Sequence, residues 1–197
     1  ISFIRARISV NFFDYEKECQ KNSYYCYMQS EKDILEKVRS EIQKQFEGEG
    51  TGHDWWHIVR VVNTAKSIAE REGANVFLVE LSALLHDVGD HKFHKEVDAQ
   101  ERLIRELLDK VDVSIEVRDQ VIEIVANVSY KGANVETAPT SLEGRVVQDA
   151  DRLDAIGAIG IARAFAYGGN KERLLYHPDQ PPVMHNNFEA YKNDKGH

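Results

Sequence analysis

The chain has 197 residues, of which 42% are hydrophobic and 29% charged, and its formal net charge at pH 7 is −8. This length suits one domain, or one domain with an appendage, and the composition is that of an ordinary soluble globular protein. The acidic balance argues against a nucleic-acid polymer as a partner, and no apolar run is long enough to span a membrane.

The first 27 residues differ from the rest of the chain. They are rich in Tyr and Phe, and they contain both cysteines, Cys19 and Cys26. A chain of this size needs no disulfide staple, so a reducing cytoplasm is the simpler prediction. We interpret residues 1–27 as an N-terminal extension, with Met28 near the natural start. An integral role of this segment in the fold is the alternative.

From Met28 onward the apolar residues recur with helical spacing, and residues 28–138 contain no proline. The pattern predicts a first helix ending at Phe46 and a second one after the glycine-rich segment 48–52. Further helices are predicted over 75–87, 96–110, 114–128 and 141–166, the last of them ended by Gly168-Gly169. Strand signals are weak. The sequence therefore predicts an all-α fold, with a single domain over residues 28–197.

Ionisable residues cluster at two places within these helices. Five of the eight histidines lie between His53 and His94, and the third predicted helix runs into the segment HDVGDHK, residues 86–92. The helix predicted over 141–166 carries a run of three aspartates, Asp149, Asp151 and Asp154, among apolar residues. Such groups are costly to bury unless a partner or a metal ion compensates them.

Three blocks in this order resemble the HD superfamily of metal-dependent phosphohydrolases. They are GHDWWH ending at His57, HDVGDHK beginning at His86, and QDADRLD around Asp151. The superfamily signature is a histidine, a later His-Asp doublet and a distant aspartate. The residues around these positions resemble those of a bacterial single-domain branch that acts on nucleotides. The resemblance covers the chain from residue 30 to its C-terminus. It implies an HD-type helical domain whose metal ligands are His57, His86, Asp87 and Asp151.

Two imidazoles and two carboxylates suit Mn²⁺, Fe²⁺, Co²⁺, Ni²⁺ or Zn²⁺, with Mg²⁺ as a further candidate. His86 and Asp87 can both reach one ion because they end a helix. Some relatives hold a second ion through histidines that precede the last aspartate. Residues 122–131 offer Asn127 and Ser129 there but no histidine, so we predict one ion.

The resemblance also suggests which residues act on the substrate. Asp90 lies where some HD phosphatases place the proton donor, and His91 is the next candidate. A turn cap or a salt bridge with Lys92 is the alternative for Asp90. Lys92 is the first candidate for a phosphate-facing cation, with Lys131 and Arg152 as weaker ones.

His53 and His57 also have the H-x3-H spacing of zinc peptidases, but Asp54 stands where those enzymes have glutamate. We expect His53 to support a ligand or face the substrate, with a surface or capping role as the alternative. Arg60 is interpreted as a structural ion pair rather than a phosphate contact.

The aspartates that flank Asp151 are assigned to caps or salt bridges. We expect Asp149 and Asp154 to point to other faces of the helix. At the end of the chain, the polar residues 191–197 stand where family members continue into another helix, so the resemblance implies that the domain is incomplete there.

The resemblance implies hydrolysis of (deoxy)nucleoside triphosphates to a monophosphate and pyrophosphate. A nucleoside monophosphate phosphatase or a phosphodiesterase is the alternative within the superfamily, and a non-catalytic nucleotide-binding module is the alternative outside it. An acidic chain can bind such a substrate, because a local metal ion outweighs the average charge. We expect neither a membrane nor a nucleic-acid polymer as partner, and the oligomeric state stays open.

Overall fold

The computed structural model describes residues 30–50, 52–89, 99–129, 134, 137–179, 184–187 and 189–190. Within these ranges the regular structure is helical and contains no strand, which confirms the all-α prediction. The helices are α1 (30–46), α2 (Trp55–Glu72), α3 (Val76–Leu85), α4 (Ala99–Lys110), α5 (Ile115–Val128), α6 (Leu142–Leu153) and α7 (Gly157–Asn170). None of these described helices is long and apolar enough to cross a membrane. The predicted extension 1–27 lies outside the described residues.

The centre of the core is α3, because nearly all its side chains are apolar. It packs against α2, α5 and α6, and Leu81, Leu84 and Leu85 are fully buried. A helix that is apolar on all sides is stable where neighbouring elements cover it on all sides. The end of α3 therefore lies inside the protein, and the His-Asp doublet follows it directly.

Polar caps fix where the helices around the site begin. Asp54 accepts from the backbone N–H of His57 at 2.7 Å, and Ser141 accepts from that of Gly144 at 3.0 Å. Each such cap contributes about 1 kcal/mol. Because Asp54 starts α2, His57 lies in the first turn of that helix and faces the core.

The helix predicted over 141–166 is two helices, and its predicted end is also wrong. α6 ends at Leu153, and α7 begins at Gly157, whose φ is +66°. The connection folds back so tightly that a Cβ on Gly160 would lie 2.1 Å from the carbonyl oxygen of Ala155. Gly168-Gly169 lies within α7 rather than after it.

α7 lies at the surface of the described structure. Gly160 is its only buried residue, whereas Ile161 and Phe165 are 62% and 52% exposed. The side chain of Arg163 is mostly buried, with 14% exposed. The position of α7 therefore depends strongly on the contacts of Arg163 and Gly160.

A buried hydroxyl in α3 gives a prediction about stability. Ser82 is fully buried, and its Oγ has no hydrogen-bond partner within the described part of the chain. An unpaired buried hydroxyl costs about 1–3 kcal/mol, and alanine is the better helix former. We expect Ser82→Ala to raise the free energy of unfolding by about 1 kcal/mol in urea denaturation. The control Ser141→Ala removes a helix cap and should lower it by about 1 kcal/mol. Equal losses in both variants would contradict the prediction.

Candidate metal centre

Two buried imidazoles face each other where the start of α2 meets the end of α3. Nδ1 of His57 donates to Oδ2 of Asp154 at 2.7 Å, and Nδ1 of His86 donates to the carbonyl oxygen of Ala83 at 2.7 Å. Their Nε2 atoms lie 3.1 Å apart. With both protons held at Nδ1, the two Nε2 atoms present lone pairs to each other. Such a pair is stable when a cation lies between the two nitrogens.

Two carboxylates complete the cluster around these nitrogens. Oδ2 of Asp87 lies 3.4 Å from Nε2 of His57 and 3.6 Å from that of His86. Oδ1 of Asp151 lies 3.5 Å and 3.7 Å from the same two atoms. With metal–ligand distances of about 2.1 Å, neighbouring ligand atoms lie about 3.0–3.4 Å apart. The four side chains predicted as ligands thus come together at separations that fit one divalent transition-metal ion.

His53 lies beside this cluster. Its Nδ1 is 3.0 Å from Oδ2 of Asp87, and it forms with His57 and Asp87 a second group of potential ligand atoms within 4.8 Å. The first group consists of His57, His86 and Asp151. Both groups use His57, whose Nδ1 is bonded to Asp154, so its single free nitrogen serves one ion. Within the described residues, the two groups therefore share one candidate ion position at Nε2 of His57.

The helical H-x3-H pair of zinc peptidases is not formed. His53 precedes Asp54, the N-cap of α2, so it lies before the helix that carries His57. His53 instead lies next to Asp87, one of the predicted ligands.

The electrostatics of the cluster favour negative carboxylates around a positive centre. Burial acts to raise the pKa of Asp87, but the electrostatic influence of the neighbouring His86 and a hydrogen bond from His53 hold that pKa well below its ordinary value. Burial acts to lower the pKa of His57, but its hydrogen bonds to Asp154 and Asp87 outweigh this and raise it. A proton and a metal ion compete for the same nitrogen of His57, which is the behaviour of a metal ligand.

Asp154 corrects one interpretation of the sequence. Asp151 and Asp154 were expected on different faces, yet they approach opposite nitrogens of the same imidazole, that of His57. The reason is that Asp154, the C-cap of α6, keeps a right-handed helical backbone, so it lies about one turn after Asp151 on the same side of the helix. Burial acts to raise the pKa of Asp154, but hydrogen bonds from His57 and Arg60 hold it far below its ordinary value.

Arg60 forms the structural ion pair that was expected. Its Nε donates to Oδ1 of Asp154 at 2.7 Å, and its Nη2 donates to Oδ2 at 3.0 Å. Asp149 is exposed, in agreement with its assignment to another face. Arg152 is exposed as well, and it donates to Oγ1 of Thr137 at 3.0 Å.

Four residues predicted to act on the substrate lie outside the described residues. They are Asp90, His91, Lys92 and Lys131. Of the other two candidates for substrate contact, His53 lies at the cluster and Arg152 reaches Thr137.

Sequence reasoning missed Arg163. Its Nε donates to the carbonyl oxygen of Gly52 at 2.6 Å, and its Nη1 donates to Oδ2 of Asp154 at 3.1 Å. One signal pointed to it: Arg163 is the only charged residue in the otherwise apolar helix GAIGIARAFAYGGN.

Comparison with known proteins places these features in a family. A model of the HD domain matches residues 55–156. The uncharacterised protein YpgQ of Bacillus subtilis is 41% identical over 151 residues, which are 76% of this chain and 74% of YpgQ. The crystal structure of YpgQ in complex with ADP has a TM-score of 0.61 and 40% identity, and the match covers 77% of this chain and 73% of that one.

Two further solved structures are similar over most of the chain. A protein from Lactobacillus plantarum has a TM-score of 0.76 and 34% identity, with 83% of this chain and 76% of that chain covered. An HD-superfamily hydrolase from Bacillus thuringiensis has a TM-score of 0.58 and 40% identity, with 83% and 79% covered. The family model, these relatives and the cluster of two histidines and two aspartates all indicate the same family. The chain belongs to the HD domain family and is a metal-dependent phosphohydrolase.

Proposed function

We propose that this enzyme hydrolyses nucleoside or deoxynucleoside triphosphates to the monophosphate and pyrophosphate. The observation that carries the proposal is the facing pair of Nε2 atoms, flanked by the carboxylates of Asp87 and Asp151. The resemblance to the nucleotide-acting branch gives the substrate class. YpgQ, a relative whose crystal structure contains ADP, supports a nucleotide as the ligand.

The metal ligands in this proposal are His57, His86, Asp87 and Asp151, which bind one ion of Mn²⁺, Ni²⁺, Co²⁺, Fe²⁺, Zn²⁺ or Mg²⁺. Such an ion, when bound, supplies Lewis-acid activation of water and of the phosphoryl group. The chain itself fixes the direction of the Nε2 lone pairs of His57 and His86. Asp154 and the carbonyl of Ala83 keep the Nδ1 protons of His57 and His86, so both Nε2 atoms stay aimed at the ion.

The remaining roles fall to residues that follow the doublet. Lys92 contacts the polyphosphate, where each added phosphate oxygen increases the Coulombic attraction in a poorly hydrated cleft. Lys131, Arg152 and His53 are further candidates for substrate contact. Asp90 donates a proton to the leaving group, with His91 as the next candidate.

The substrate assignment is tested by the inorganic product. Purified enzyme is stripped with chelator and reloaded with Mn²⁺, Co²⁺ or Ni²⁺. It is then supplied with ribo- and deoxyribonucleoside mono-, di- and triphosphates, with a cyclic nucleotide and with a dinucleotide. We expect pyrophosphate and a monophosphate from triphosphates. Orthophosphate as the only inorganic product would replace this assignment with a phosphatase. A cyclic or dinucleotide substrate would indicate a phosphodiesterase, and binding without turnover would indicate a non-catalytic nucleotide-binding module.

The role of Asp90 is tested by Asp90→Asn. Loss of a general acid lowers kcat by about 10²-fold or more, while the metal content and the fold stay unchanged. We therefore expect a slow, metal-replete enzyme, measured by steady-state kinetics and metal analysis of the same sample. Normal turnover by that sample would assign Asp90 to the turn or to a salt bridge with Lys92.

A further inference from the structure

One guanidinium from α7 joins two segments that carry the metal cluster. Nε of Arg163 donates to the carbonyl oxygen of Gly52 at 2.6 Å. Its Nη1 donates to the carbonyl oxygen of Asp154 at 3.2 Å and to Oδ2 of the same residue at 3.1 Å. Arg163 therefore ties the segment ahead of α2 to the end of α6. Only 14% of its side chain is exposed, so these hydrogen bonds are little weakened by water.

Both segments hold a histidine of the cluster. Gly52 is bonded directly to His53, whose Nδ1 lies 3.0 Å from Oδ2 of Asp87. Asp154 accepts the Nδ1 proton of His57 at 2.7 Å. A shift of either segment would therefore displace an imidazole relative to the predicted metal ligands.

Nη2 of Arg163 also lies 3.4 Å from Nδ1 of His53. That nitrogen cannot donate to Asp87 and accept from Arg163 at the same time. The shorter contact, to an ionised carboxylate, is the stronger one. The influence of Arg163 on His53 therefore passes through the carbonyl of Gly52.

We propose that Arg163 is a positioning residue that sets the orientation of His53 through Gly52 and of His57 through Asp154. The proposal rests on the assignment of His57 as a ligand of a divalent ion. It makes α7, a helix with one buried residue, part of the metal centre. Partners that orient a ligand in this way typically change metal affinity by about 10–100-fold when they are removed.

Arg60 provides a matched comparison. It makes two hydrogen bonds to the carboxylate of Asp154, at 2.7 Å and 3.0 Å. It lies on α2 itself, and 37% of its side chain is exposed. Arg60 and Arg163 thus both pair with the carboxylate of Asp154, but Arg163 also connects that residue with Gly52.

The test compares Arg163→Met with Arg60→Met, because methionine keeps much of the side-chain length and removes the charge and the donors. Calorimetric titration with Co²⁺ and Mn²⁺ measures affinity, and the visible spectrum of bound Co²⁺ reports the ligand geometry. We expect Arg163→Met to weaken affinity about 10–100-fold and to change the spectrum. Arg60→Met should lose only a few-fold in affinity and keep the wild-type spectrum.

Equal effects of the two substitutions would overturn the proposal, since Arg163 would then act only as a counter-charge for Asp154. An unchanged affinity and spectrum in Arg163→Met would overturn it as well. If circular dichroism shows that Arg163→Met is unfolded, Arg163→Lys keeps the charge and is judged by the same two measurements. Lysine lacks the planar fork that reaches both segments, so its Co²⁺ spectrum should also differ from that of the wild type.

These readouts separate this proposal from the proposed function. Metal affinity and the Co²⁺ spectrum need no substrate, so an enzyme that cleaves no nucleoside triphosphate still tests Arg163. If the wild type binds no ion, ¹⁵N NMR of the metal-free protein tests whether Arg163 orients the two histidines. Arg163→Met should shift the imidazole signals of His53 and His57, and unchanged signals would overturn the proposal.

Discussion

Replacing His86 with alanine is expected to abolish specific binding of one divalent ion and, with it, hydrolysis. His86 is buried, and its Nε2 lies 3.1 Å from that of His57 and 3.7 Å from Oδ1 of Asp151. Removing an orienting partner alone costs about 10–100-fold in affinity, so removing a ligand should cost more than about 100-fold. A catalytic ion contributes several kcal/mol, and about 1.4 kcal/mol is tenfold in rate, so kcat should fall by about 10³-fold or more.

The measurement is the metal content of chelator-stripped, reloaded protein, together with the rate of pyrophosphate release from a nucleoside triphosphate. Asp151→Asn should behave like His86→Ala, because it weakens another predicted ligand. Asp149→Asn is the matched control: it makes the same chemical change two residues away on an exposed position of α6. Full metal binding by His86→Ala, or two ions per chain in the wild type, would contradict the four-ligand centre.

Replacing Gly89 with alanine is expected to cause a large loss of stability. Gly89 follows the His-Asp doublet closely and has φ of +68°. A Cβ there would lie 2.6 Å from Cα and 2.9 Å from the backbone nitrogen of Gln100, in the first turn of α4. The left-handed conformation costs an alanine about 1–2 kcal/mol, and the overlap with backbone adds about 1–3 kcal/mol. We expect the free energy of unfolding to fall by about 3 kcal/mol.

Gly73→Ala separates the two costs. Gly73 also has a left-handed conformation, with φ of +74°, but a Cβ there would meet nothing within 4 Å. The Gly73→Ala variant should lose only about 1–2 kcal/mol of unfolding free energy. Urea denaturation of both variants gives the difference directly. Gly89→Ala should in addition weaken metal binding, because Nε2 of Gln100 donates to the carbonyl oxygen of His86 at 3.3 Å. Equal losses of unfolding free energy in the two variants would contradict this, because they would show that α4 moves away from the added Cβ without loss of stability.

Much of the fold could be predicted from apolar spacing, since most of the helices before α7 present a regular apolar stripe to one core. Val61, Ala65 and Ala69 lie on the predicted inner face of α2 and are fully buried. The break between α6 and α7 could not be predicted in this way. It depends on a backbone contact between Gly160 and Ala155 and on the contacts of Asp154, and hydrophobic periodicity carries no information about either.

The metal cluster could likewise be predicted only in part. His57, His86, Asp87 and Asp151 could be named because the order and spacing of their blocks resemble a known family. The contact of Asp154 with His57 and the role of Arg163 could not be predicted, because they arise from hydrogen bonds across 97 and 111 residues of sequence. Local patterns identify residue types suited to a metal, whereas the groups that orient them are fixed only when the helices pack.

The distance along the chain between the two ends of the cluster has a consequence for folding. His57 and its partner Asp154 are 97 residues apart, and the His-Asp doublet lies between them in sequence. An ion held by His57, His86 and Asp151 therefore acts as a reversible cross-link that closes a loop comprising about half of the chain. A covalent cross-link around a loop of about 100 residues reduces the entropy of the unfolded chain by an amount worth up to about 4.7 kcal/mol. Removal of the ion by a chelator should therefore lower the stability of α2, α3 and α6 together, rather than affect only the side chains that contact the ion.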